Sequence, residues 1–157
     1  MGTTSDNQRA ELGSIAETNE ILEKISTTSS ELLDMTALKG KVSEPGPGLT
    51  RCSDRDPSRF FKVRHTWNLS GPPIEDLSAS LDTVRKTLPK QGWVIESYGP
   101  NKSQERSLTL VANHSKKKVG LNIQLWEENA SNGRPLLLFS LTSACHEAPT
   151  GSTVSPY

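Results

Sequence analysis

Residues 60–88, FFKVRHTWNLSGPPIEDLSASLDTVRKTL, change their hydrophobic period halfway along. From Phe60 to Leu69 the apolar Phe61, Val63, Trp67 and Leu69 alternate with Lys62, Arg64, Thr66 and Asn68, the repeat of a strand with one buried face. His65 falls on the apolar side. Pro72 and Pro73 then open a helix, because Pro is tolerated in a first turn. Ile74, Leu77, Leu81, Val84 and Leu88 follow three and four apart, which places them on one stripe. Gly92 ends it.

Three more strands are expected after this helix: Trp93 to Tyr98, Ser107 to Asn113, and Lys118 to about Trp126. Polar turns, NHSKK and NASNGR, make hairpins leading to a last strand, Pro135 to Ser143. Strands joined so tightly run antiparallel, and the helices must then cover one face of the sheet. The expected fold is α+β, a two-layer sandwich of a four- to five-stranded antiparallel sheet covered on one face by two helices.

Towards the N-terminus the pattern is helical. Ser5 and Gln8 have the spacing of a capping box, and Leu12, Ile15, Ile21, Leu22 and Ile25 share a stripe, so residues 6–25 read as an amphipathic helix. The run STTSS at 26–30 favours a break, with a second short helix from Glu31 to Ala37 stopped by Gly40. Pro45, Gly46, Pro47, Gly48 and Pro57 make 40–58 a linker with at most a short extended piece at Leu49 to Ser53. At 157 residues the chain makes one domain. Its expected parts are a disordered start at 1–5, a helical segment at 6–39, the linker, an α+β core at 59–146 and a disordered tail at 147–157.

The chain has two cysteines. Counting by twos, Leu137, Phe139, Leu141, Ser143 and Cys145 share a face, so Cys145 points to the layer where the linker carrying Cys52 must dock. A Cys52–Cys145 disulfide is expected, closing a loop worth roughly 4 to 5 kcal/mol by chain entropy. Such a bond implies an oxidising compartment, whereas two reduced buried cysteines would imply the cytosol.

Charge sums to zero but is uneven: residues 1–50 carry −4, 51–120 carry +6 and 121–157 carry −2. A basic middle either meets an anionic surface or is a solvated face balanced by acids of the N-terminal helix. Lys116, Lys117 and Lys118 form a basic turn whose charges should face solvent or an anionic partner. Trp126 breaks the inward alternation of its strand, which makes it the best single hint of a binding surface. Nucleic-acid binding wants aromatics interleaved with the lysines, and only Tyr98 is near. No apolar run reaches the roughly 20 residues of a spanning helix.

Chemistry is sparse. The histidines, His65, His114 and His146, lie on a strand, in a turn and in the tail, none at metal-ligand spacing from another ligand, so no metal or cofactor is expected. His114 reads as solvated. No phosphate loop, dinucleotide fingerprint or nucleophile elbow occurs. Asn68, Asn101, Asn113 and Asn129 match the glycosylation triplet, a match that such Ser- and Thr-rich sequence produces by chance.

The pieces LTRCSD around Cys52 and KQGWVIES after the helix, with the final Cys145, resemble the mature regions of actinobacterial secreted lipoproteins. The resemblance covers about residues 20–148. It implies an exported protein, with a lipid anchor on the precursor left open because the acylated cysteine has no counterpart here. The resulting reading is a non-enzymatic extracytoplasmic domain, secreted or anchored at the cell surface. Its partner is a protein or an anionic envelope component, met through the sheet face opposite the helices or through the basic hairpin ends. The alternatives are a small hydrolase using His65 and a cytosolic nucleic-acid-binding protein.

Overall fold

The computed structural model describes residues 12–43, 46–53, 55–100, 107–127, 134–151 and 154. Nine strands and two α-helices follow in the order β1 (Leu12–Ile15), α1 (Thr18–Thr36), β2 (Lys41–Val42), β3 (Gly48–Thr50), β4 (Phe60–Ser70), α2 (Ile74–Thr87), β5 (Val94–Pro100), β6 (Leu108–His114), β7 (Val119–Trp126), β8 (Leu136–Ser143) and β9 (Cys145–Glu147). A 3-10 turn, Leu88–Gln91, extends α2. The fold is α+β as expected, with a larger sheet: eight strands pair antiparallel and β1 adds in parallel beside β9.

The meander β5-β6-β7-β8 forms as the turn spacing dictates, and β4 joins at β8 rather than beside its chain neighbour β5, because α2 carries the chain across the sheet. β2 and β3 take the opposite edge of β4, at Ser70/Leu69 and Arg64–Lys62. Between Arg64↔Thr142 and Phe61↔His146, three steps on β4 face four on its partner, so β8 passes into β9 through a one-residue bulge. The Ser143 hydroxyl accepts the Val63 N–H there at 2.8 Å, replacing a ladder bond that the bulge removes.

The core lies between the helices and the inner sheet face. Ile21, Ile25 and Leu32 of α1 and Leu77, Leu81 and Val84 of α2 pack on Phe61, Val63, Trp67, Phe139, Leu121 and Ile123. Trp67 and Phe139, paired across β4 and β8, stack with ring centres 4.0 Å apart. Cys52, just past β3, is bonded to Cys145 of β9, their Cα atoms 5.9 Å apart, as expected. The bridge links segments on the two edges of β4.

Four expectations need correction. Leu12 to Ile15 is a strand, because β9 offers it a ladder at Leu12↔Cys145 and Ile15↔Glu147, and the helix begins only at Thr18. Glu20 accepts the Glu17 N–H at its start; the Ser5 and Gln8 box and residues 1–5 lie outside the described residues. The STTSS run is crossed by one continuous helix: Thr28 bonds back to the Lys24 carbonyl at 2.8 Å, and Ser29 is used across the layer interface. The linker contributes two strands, since short edge strands need few consecutive donors. The tail is docked in part, with Ala148 and Val154 buried and the Val154 N–H bonded to the Ser58 carbonyl.

Candidate functional site

The face of the sheet away from the helices is a grid fixed by the strand registers. Across β4, β8, β7 and β6 it reads Arg64, Thr142, Gly120, Asn113 in one row; Thr66, Ser140, Asn122, Val111 in the next; and Asn68, Leu138, Gln124, Thr109 in a third. Side chains on one face recur every second residue, so the alternation that buries Leu121 and Ile123 necessarily turns Gly120, Asn122 and Gln124 outward. The first two rows floor a shallow trough of about 410 Å³, in which Arg64 is the only charged lining residue among the described ones. Gly120 leaves the floor open between β6 and β8: a Cβ there would sit 3.1 Å from Asn113 Oδ1. Thr66 and Ser140 hydroxyls lie 3.4 Å apart across β4 and β8, and Asn113 donates its amide to Glu96 on β5.

Trp126 continues this face. No bulge reverses it; it pairs in register with Leu136, and its indole N–H donates to Gln124 Oε1 at 2.8 Å. It is half-buried and borders the third row. Its break in alternation is thus ordinary outward parity at the strand end.

The basic turn sits elsewhere, where β6 reverses into β7. Lys116 and Lys118 are exposed, but the Lys117 ammonium is 2.8 Å from Glu31 of α1, so not all three charges face solvent: a helix carboxylate lies within reach of the turn. This is one of the acidic counter-charges expected on the N-terminal helix. His114, expected to be solvated, is buried. Its Nδ1 accepts the Lys117 N–H at 3.2 Å and its Nε2 donates to the Gln91 carbonyl at 3.1 Å. A backbone N–H can only donate and a carbonyl only accept, so these two bonds fix the Nε2–H tautomer. Gly92 must be glycine beside it, with φ of +93° and a Cβ position 2.8 Å from His114 Nε2.

His65 lies on the covered side and finds a hydroxyl. Ser29 Oγ is 2.7 Å from its Nδ1 and accepts the Trp67 indole N–H at 3.2 Å. Ser29 is 6% exposed and His65 is half-buried, so the pair lies at the helix–sheet interface. His146 is buried and stacks on Phe61. Among the described residues no three His, Cys, Asp or Glu side chains group to hold a metal ion, and no helix is long and apolar enough to cross a membrane.

A scan of family models, a search of curated proteins and a search of solved structures find no match to this chain. The geometry is therefore the basis for a functional reading. The residues that sequence reasoning passed over are Arg64, Thr66, Asn122, Gln124, Ser140 and Thr142. Each was visible as the polar half of a strand alternation, but only the strand order 4-8-7 makes them one surface.

Proposed function

We propose that the protein is a non-enzymatic extracytoplasmic domain, secreted or held at the cell envelope, that binds a partner through the uncovered sheet face. The observation that carries this reading is the trough itself, a floor of hydroxyl and amide groups set among Val111 and Leu138 with one guanidinium, bordered by a half-buried tryptophan. Its groups suit a ligand rich in hydroxyls or amides that offers a carboxylate or similar anion to Arg64, such as a protein segment or an anionic envelope component. The Cys52–Cys145 bond supports an oxidising location, because such bonds are rare in reducing cytosol.

The test is photo-crosslinking in the source cells, with a benzophenone side chain at Ser140 or Asn122 and, as a comparison, at exposed Asp76 on α2. One discrete adduct from the sheet positions and none from residue 76 is the expected result. Adducts from residue 76 alone, or from no position, would overturn the reading. The hydrolase reading has the Ser29–His65 contact in its favour. That hydroxyl is occupied by Trp67 and belongs to a serine only 6% exposed, which leaves it poorly placed to act on a substrate.

A further inference from the structure

The turn between β6 and β7 is held unusually firmly for a run of lysines. His114 ties it to Gln91 through one ring nitrogen and to the Lys117 N–H through the other. The Lys118 carbonyl accepts the Ala144 N–H at 2.8 Å, and Lys118 itself has a φ of +56°, a left-handed conformation that few side-chain-bearing residues adopt. The turn thus presents its ammonium groups from a backbone fixed on both sides. A fourth lysine comes from the helix layer. Lys24 of α1 is one heptad before Glu31, which holds Lys117, so it lies on the same helix side. It is partly buried, and burial first, then Lys117 and Lys118, hold its ammonium below the ordinary 10.5.

The charges do not balance. Of Lys24, Lys116, Lys117 and Lys118 only Lys117 is in an ion pair among the described residues, with Glu31. Bringing like charges together on a fixed backbone is unfavourable in the free protein and becomes favourable when an anion sits among them. We infer that Lys24, Lys117 and Lys118 form a binding site for a phosphate-class oxyanion, with Lys116 at its rim. An ammonium has three donors, so Lys117 can keep Glu31 while giving a hydrogen bond to the anion. The phosphate group can belong to a free phosphoanion or to a lipid headgroup, since both present the same oxygens. This site stands apart from the sheet face, and either assignment can fail without the other.

The experiment titrates inorganic phosphate into isotope-labelled full-length chain by amide NMR at low salt, beside flotation with vesicles of phosphatidylglycerol or of phosphatidylcholine alone. Saturable shifts should concentrate at residues 114–118 and around Lys24. Lys24→Gln should weaken binding about fivefold, the upper end for a partly exposed ion pair. The Lys24→Gln, Lys118→Gln pair should lose it, while Lys41→Gln, at the opposite end of the sheet beside Ser70, should not change it. Retention on phosphatidylglycerol vesicles that the pair abolishes assigns a headgroup; phosphate shifts without vesicle binding assign a free phosphoanion. The single Lys24→Gln variant serves if the pair unfolds. Equal binding by wild type and the lysine variants, or no saturable response to either probe, would overturn the site.

Discussion

Removing the disulfide is the perturbation with the best-defined size. The two cysteines are 93 residues apart, and a loop of that length restrains the unfolded chain by about 4.7 kcal/mol in the chain-entropy relation. Unfolding entropy near 2.1 cal/mol/K per residue over 157 residues converts this into a fall in Tm of about 14 °C. Cys52→Ala, Cys145→Ala should therefore lose a large part of the roughly 5 to 15 kcal/mol typical of a domain. The assay is urea unfolding of oxidised wild type and of the double variant, followed by tryptophan fluorescence, with Trp67 and Trp93 both buried. The midpoint should drop steeply with the slope kept or slightly raised, because the unfolded chain becomes more open. A change below about 1 kcal/mol would refute the reasoning, since it would mean that the unfolded state loses no freedom to the bond. A clearly smaller slope would refute it differently, by showing that only the segments around β1, β3 and β9 come loose.

Ser29→Ala leaves the Trp67 indole N–H and His65 Nδ1 without their shared hydroxyl, and denaturant unfolding should register about 1 to 3 kcal/mol of destabilisation. Ser30→Ala next to it, on an exposed position, should register almost none. Gly92→Ala meets both a strained φ and His114, so its midpoint should fall by about 1 to 3 kcal/mol, and the side-chain resonances of His114 should shift with it. Asp82 is held below the ordinary carboxylate value of 3.8, first by Arg85 and then by Lys86. A depressed folded value stabilises above the unfolded value and is lost as pH falls through the folded one. Asp82→Asn should thus differ from wild type above pH 3.8 and converge with it in more acid solution, read as Tm against pH. Lys24 is also lowered, so stability again rises with pH, but here it is the charged form that folding disfavours. Wild type should therefore gain stability relative to Lys24→Gln as pH rises towards 10.5, and bound phosphate should erase that gain.

The α2 stripe and the meander were legible because period and turn chemistry agreed, and Leu77, Leu81 and Val84 are buried as the spacing demands. The disulfide was legible from there being two cysteines at the borders of the core, but not from strand parity, because the bulge between Thr142 and His146 puts His146, not Cys145, on the face of Phe61. The N-terminal segment was not. Leu12 and Ile15 are three apart, a spacing that a short strand and a helix share, and the partner that decides between them, β9, is distant in sequence. STTSS looked like a break because hydroxyl residues compete with helical backbone bonds. In the fold Thr28 makes its bond within the helix and Ser29 spends its hydroxyl on another layer. β2 and β3 have too few residues to show a period, and their pairing partner, β4, lies beyond a Pro- and Gly-rich segment. For the outer face, each polar residue was readable and their assembly was not. The Lys24 contribution to the basic turn depends on how α1 crosses the sheet, which no local pattern encodes.

The parallel pairing of β1 and β9 also has a mechanical meaning. Both strands run the same way, so tension applied to the chain before Leu12 and after Glu147 slides them past each other and loads their hydrogen bonds together, in shear, instead of opening them one by one. Once that clamp slips, the disulfide halts the extension. The chain from Cys52 to Cys145 is shunted by the covalent bond, and only the segment from Leu12 to Cys52 can pay out. At roughly 3.5 Å per residue that is a step of about 140 Å, against several hundred for the reduced chain. A pulling trace of the oxidised protein should show that one short step, followed by a tether that does not lengthen further.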